Sequence, residues 1–286
     1  MQKLLGLALL ALVSVAALPA AADDTPVWKT VPAPAAMPKP DESGLAPVND
    51  IKMYYAIFNK GGGNPILLLH GGLGNADFWG SQIADFAKDH EVIVADSRGH
   101  GRSTRSEQPF GYALMASDVI ALLDYLKVDK VNLVGWSDGG IIGLDIAMNH
   151  PDRLIKLFAF GANSTIDGVN PEVGNDPVFN TYIEQAGADY ARISPTPGEF
   201  EAFVNQIVKM WETQPNYSAA DLARITTPTA IADGQYEEAI LPAHTAKLAK
   251  EVPGATLVIL PDTSHFAHLQ NPAEYNKAVL DFIDGK

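Results

Sequence analysis

The strand-like run Val131-Asn132-Leu133-Val134 passes without a break into Gly135-Trp136-Ser137-Asp138-Gly139-Gly140, and a helical stretch follows. A buried strand that must turn sharply into a helix forces the apex residue into strained dihedrals, and only minimal neighbours fit around it. Glycine stands two residues before and two residues after Ser137. Such a turn lifts a hydroxyl above the end of a sheet and aims a helix N-terminus at it. The segment therefore asks for a fold built from strand-to-helix units.

The rest of the chain supplies them. Ile66-Leu67-Leu68-Leu69 and Val92-Ile93-Val94-Ala95 are short continuous apolar runs, the pattern of strands buried on both faces. Helical character falls around Trp79 to Lys88, and Met115, Val119, Leu122, Leu123 and Leu126 mark one apolar helical face. Ile155 to Phe160, Thr229 to Ala232 and Thr256 to Leu260 read as further strands, with a helix over Ala243 to Val252. The last helix opens at Asn271-Pro272 with Glu274 in its first turn. Strands alternating with helices predict an α/β fold with a mostly parallel sheet covered on both faces. Lys52 to Ile57 is expected as an edge strand of an antiparallel start. Between about 164 and 222 there is no buried strand, and Phe179 to Gln185 and Phe200 to Trp211 have helical character. This stretch predicts a small helical cap over the carboxyl end of the sheet.

Composition narrows the class. With 47% hydrophobic residues in 286, the chain can bury a full core. A formal charge of −14, from 34 acidic and 20 basic residues, leaves no basic surface for nucleic acid. Lys3, the apolar stretch Leu4 to Leu18 and Ala20-Ala21-Ala22 predict a signal peptide over 1–22, too short to span a bilayer. The expected address is a periplasm or the medium, with no membrane anchor after processing. Without cysteine there is neither a lipid-anchoring site nor a disulfide. Residues 23–43, rich in Pro and Ala, read as an extended leader without a core of its own, and 44–286 as the folded domain. Oligomeric state is not legible.

Serine is a weak nucleophile until a base takes its proton. His265 follows the last strand and so reaches the same sheet edge as Ser137; His268, three residues on, is expected inside the following turn. His90, His150 and His244 read as surface residues, and His70 and His100 as packed into glycine turns. The loop after Thr229 to Ala232 offers three acids to orient the imidazole: Glu237, which lies past Gly234 where the loop turns back, and alternatives Asp233 and Glu238. Backbone N–H groups of Gly72 and Asp138 are candidates for an oxyanion hole. Trp136 and Leu73 join Asp138 as candidate substrate contacts. Gly72-Leu73-Gly74 lacks the third glycine of a dinucleotide fingerprint, since Asp77 holds that place, and no zinc or phosphate-loop spacing occurs.

His70-Gly71-Gly72-Leu73-Gly74, the segment Asp96 to Ser103, the Ser137 turn and Ser264-His265-Phe266 together resemble the α/β-hydrolase superfamily, from about Leu45 to the C-terminus. The resemblance implies cofactor-free hydrolysis of a small-molecule ester, thioester or amide through an acyl-enzyme. Serine rather than aspartate at the turn argues against dehalogenase and epoxide hydrolase chemistry. One departure is Glu237, where the family usually places Asp. Gly135 to Gly140 is most similar to valacyclovirase-like enzymes, in which the acid after the nucleophile recognises a substrate amino group. That makes an α-amino ester a candidate substrate, against the alternative that Asp138 contributes only its N–H and a local cap. The same triad also supports C–C bond hydrolases and perhydrolases, and the fold alone supports non-catalytic binding.

Overall fold

In a computed structural model, which describes residues 25–286, the apolar runs form one eight-stranded sheet. The signal-peptide reading over 1–22 lies outside the described residues. The strands are β1 (Glu42–Val48), β2 (Ile51–Phe58), β3 (Gly63–Leu69), β4 (His90–Ala95), β5 (Val131–Trp136), β6 (Leu154–Phe160), β7 (Thr229–Gly234) and β8 (Thr256–Leu260). Their order is β1-β2-β4-β3-β5-β6-β7-β8, parallel from β4 to β8 and antiparallel at the β1 and β2 end. Ile66 to Leu69 and Val92 to Ala95 are wholly buried, as the continuous apolar runs require.

The helices are α1 (Gly80–Phe86), α2 (Tyr112–Leu126), α3 (Asp138–Asn149), α4 (Pro177–Ile193), α5 (Phe200–Trp211), α6 (Ala219–Leu222), α7 (Pro242–Glu251), α8 (Ala267–Gln270) and α9 (Pro272–Asp284). Two pairs, α2 with α3 and α1 with α9, cover the sheet. Asn271 caps α9 by accepting the N–H of Glu274, and Pro272 occupies the first helical position, as the sequence predicts. Helices α4 to α6 lie between β6 and β7. Asp176 starts α4 by accepting two N–H groups, and Tyr190 of α4 stacks on Phe203 of α5.

One expectation changes. Lys52 to Ile57 belongs to β2, which is interior, because Glu42–Val48 forms the edge strand beside it through a tight turn at Asn49. β1 hides in the sequence because Gly44 and Pro47 interrupt it, a composition only an edge strand tolerates. The leader is extended but not detached: Val31 is buried and the segment lies against the body.

Strand order places the chemistry. β3 pairs with β4 on one side and β5 on the other, so the loops leaving β3 and β5 diverge and open a crevice at the carboxyl edge. Leu69 pairs with Gly135, Trp136 with Phe160, Phe160 with Ala232 and Gly234 with Leu260. Residues just beyond each of these positions therefore meet along one line.

Candidate active site

Ser137 stands at the apex with φ 54° and ψ −120°, a conformation that side chains rarely adopt. A Cβ on Gly135 would overlap the Gly139 carbonyl, and one on Gly139 would overlap the carbonyl of Leu69. Both glycines are thus fixed by close backbone approach. The turn is closed by Ser137 accepting the N–H of Gly140 at 2.8 Å and by its own N–H donating to Phe160 at 2.7 Å.

His265 is buried in the loop between β8 and α8, and it lines with Ser137 one cavity of about 320 Å³. Its Nδ1 lies 2.7 Å from Glu237 Oε1, which also accepts the N–H groups of Ala239 at 2.8 Å and Ile240 at 3.0 Å. The three candidate acids therefore separate by position. Glu237 meets the ring. Glu238 accepts the His265 backbone N–H at 3.0 Å and the Ser264 hydroxyl at 3.1 Å. Asp233 sits behind, accepting from the Thr245 hydroxyl at 2.6 Å.

Burial acts against charge on both members of the His265–Glu237 pair. It pushes the imidazole below its ordinary range and the Glu237 carboxyl above its own, the Ala239 and Ile240 N–H groups opposing the rise. Burial, reinforced by the adjacent Glu237, holds Asp233 well above the usual carboxylate range. Glu237 Oε2 is buried without a hydrogen-bond partner.

Asp138, at the start of α3, is buried and lines the same cavity. Its Oδ1 accepts from the Tyr112 hydroxyl at 2.8 Å and from Trp211 Nε1 at 3.0 Å, and its Oδ2 lies 3.1 Å from the same indole nitrogen. Burial raises its carboxyl to about 6 despite these donors. Tyr112 and Trp211 were not singled out in the sequence, since one opens a surface helix and the other ends a cap helix with no motif around it. Gly72 approaches closely: a Cβ there would overlap the Trp211 indole and stand 2.6 Å from Asp138 Oδ2. The Gly71 carbonyl is bonded by Gly74 N–H and the Gly72 carbonyl by the Tyr182 hydroxyl at 2.6 Å. The N–H groups of Gly72 and Asp138 lie outside these bonds.

Other expectations resolve as follows. Trp136 and Leu73 are buried and do not line the cavity; Trp136 packs against Phe78, Phe266 and His268, because its side chain leaves β5 on the inner side of the turn. His268 is buried in α8 against Trp136. His90 and His244 are buried rather than on the surface, His90 bonded to the Asn64 carbonyl and His244 accepting the Ser164 N–H. His150 is exposed. His70 accepts the Ser97 N–H at 3.0 Å, and Asp96 ties its turn by accepting from Ala76 and Arg102, both at 2.6 Å. Among the described residues no group of three or more His, Asp or Glu is arranged to hold a metal ion. Among them too, no helix is long and apolar enough to cross a membrane.

The α/β hydrolase fold model matches residues 64–184. Serine hydrolase BPHL of Homo sapiens is 30% identical over 260 residues, covering 84% of this chain and 86% of the relative. The chain belongs to the α/β-hydrolase family. Another relative of this hydrolase is 3-oxoadipate enol-lactonase 2 of Acinetobacter baylyi, 26% identical over 251 residues, or 80% of this chain and 92% of the relative. The solved structure of an N-acyl homoserine lactone degrading enzyme is 29% identical to the hydrolase, with a TM-score of 0.67 over 84% of this chain and 100% of that one. The Ser137 turn lies inside the matched region, and His265 and Glu237 lie beyond it.

Proposed function

We propose that this hydrolase cleaves carboxylic esters through an acyl-enzyme on Ser137. The single observation that carries the reading is the 2.7 Å contact between His265 Nδ1 and Glu237, made by an imidazole that shares a cavity with Ser137. With Nδ1 engaged, Nε2 is the nitrogen left to accept the Ser137 proton. The serine oxygen attacks the ester carbonyl, and the Gly72 and Asp138 N–H groups receive the oxyanion. His265 then passes its proton to the departing alcohol. Water, deprotonated by the same nitrogen, attacks the acyl-enzyme and releases the acid. Glu237 orients the ring and stabilises its charged form. Ile166, Val169, Phe179 and Ile240 give the cavity apolar walls suited to a medium-sized acyl or alcohol group. The two relatives named for lactones act on cyclic esters, which supports the same bond class.

Asp138 favours a second reading within this class, hydrolysis of α-amino esters. It puts a carboxylate on the wall of the Ser137 cavity, where a substrate ammonium would find a counter-charge. We also propose that the chain is exported by its N-terminal segment, which fractionation of expressing cells would test.

The test of the ester reading is a panel of nitrophenyl esters and aminoacyl esters, run with the natural protein and Ser137→Ala. Turnover should fall by a factor on the order of 10⁶ in the variant. Comparable rates from both would overturn the mechanism, and turnover of aminoacyl esters alone would select the second reading.

A further inference from the structure

The leader does more than lie on the surface. Trp28 stacks on Tyr236, ring centroids 4.3 Å apart and planes within 15°, and Tyr236 immediately precedes Glu237. Two residues later the Thr30 carbonyl accepts the Gln270 side-chain N–H at 2.9 Å. The same Gln270 amide clasps Ser264 twice, donating to its hydroxyl at 2.9 Å and accepting its backbone N–H at 2.7 Å. Ser264 is the neighbour of His265. The next carbonyl, that of Val31, accepts from Gln185 on cap helix α4 at 3.0 Å. Three leader residues, Trp28, Thr30 and Val31, thus reach the acid loop, the Gln270 amide that clasps the histidine loop, and the cap.

We propose that residues 28–31 are a strap that positions Glu237 and His265 against each other, with Trp28 and Gln270 as positioning residues of the hydrolytic site. The inference rests on the proposed roles of these two groups. The physical case is that neither loop belongs to a regular element. The loops bond to each other through the Tyr236 N–H to the Thr263 carbonyl and through Glu238, Asn170 holds the acid loop by donating to the Glu238 and Ala239 carbonyls, and the strap and Gln270 add support from the leader side. A 2.7 Å contact between two buried ionisable groups is steep in distance, and misplacement by about 1 Å costs on the order of 10²-fold in rate. Trp28 is half-buried and the turn it sits in buries no residue, so the strap is anchored in the core only at Val31 and elsewhere meets the loops.

Trp28→Ala and Gln270→Ala, with Trp28→Phe as the conservative control, test this in the full-length protein. Nitrophenyl ester kinetics and hydrogen exchange of segment 262–266 are read together, with exchange of α2 as the internal reference. The strap predicts about a 5- to 20-fold lower kcat in both alanine variants with KM within about twofold, and faster exchange confined to 262–266. Trp28→Phe should recover both. Unchanged kcat and unchanged exchange in the alanine variants would overturn the proposal. So would exchange that rises equally in α2, which would make the segment a general stabiliser. Absence of ester turnover in the natural protein would instead count against the hydrolytic reading, and the exchange comparison would still decide whether the strap holds the loop.

Discussion

Glu237 accepts three hydrogen bonds on one oxygen, from His265 Nδ1 and from the N–H groups of Ala239 and Ile240. The two backbone donors fix the carboxylate before the imidazole meets it. The longer glutamate is thereby held in a loop where the family usually has aspartate. Glu237→Gln removes the charge that stabilises the imidazolium, while the two backbone donors keep an amide oxygen facing Nδ1. It should lower kcat by a factor on the order of 10³ to 10⁴. Glu238→Gln, which leaves the ring contact in place, should cost far less. Steady-state kinetics of the two variants at one pH separates them.

The pH profile follows from the imidazole. In the proposed mechanism His265 acts as a base when neutral, and burial holds its pKa below the ordinary 6.5, opposed by Glu238, Asp233 and Asp138. Activity should therefore be full at neutral pH and fall as pH drops through a value below 6.5. Asp138→Asn removes one of the opposing charges, so its acid limb should move to lower pH still. Plots of kcat/KM against pH for both proteins check the direction of each shift.

Asp138 also sets a stability prediction. Its carboxyl is raised from 3.8 to about 6 by burial, so the folded state holds the proton more tightly than the unfolded chain. The resulting stability is present below about pH 4 and lost as pH rises through 6. Asp138→Asn keeps an acceptor for Tyr112 and Trp211 without the buried charge. Thermal unfolding should show the variant more stable than the natural protein at pH 8, by up to ~3 kcal/mol, with little difference at pH 4. If the carboxylate reads a substrate ammonium, the same variant should lose any preference for aminoacyl esters.

The turn under Ser137 predicts intolerance of a methyl group. Gly135→Ala or Gly139→Ala drives a Cβ into backbone, where no rotamer change relieves it. Losses above about 4 kcal/mol are expected, read as a collapse of soluble yield or of Tm.

Much of this was legible before the structure. The runs at 66–69 and 92–95 are buried on both faces and carry no polar interruption, and 131–134 carries only Asn132, so they read as strands directly. Ser137 and His265 follow from strand ends, because a parallel sheet aligns its carboxyl edges whatever the loops do. Glu237 was one of three acids, and only the fold of a short loop separates the one on the ring from the one on the backbone. Trp136 packs against Phe78, Phe266 and His268, since adjacency to an apex does not say which way a side chain leaves it. Tyr112, Trp211 and the strap carry no local signal, since their partners lie 26, 73 and up to 240 residues away along the chain. β1 was lost to the glycine and proline an edge can carry.

The account turns on a nucleophilic Ser137, and covalent capture tests that most directly. Incubation with a fluorophosphonate, followed by peptide mapping, should place one adduct on the peptide containing Ser137, with none in Ser137→Ala or after acid quenching of His265 as a base. An unlabelled protein, or an adduct on another serine with Ser137 untouched, would contradict it.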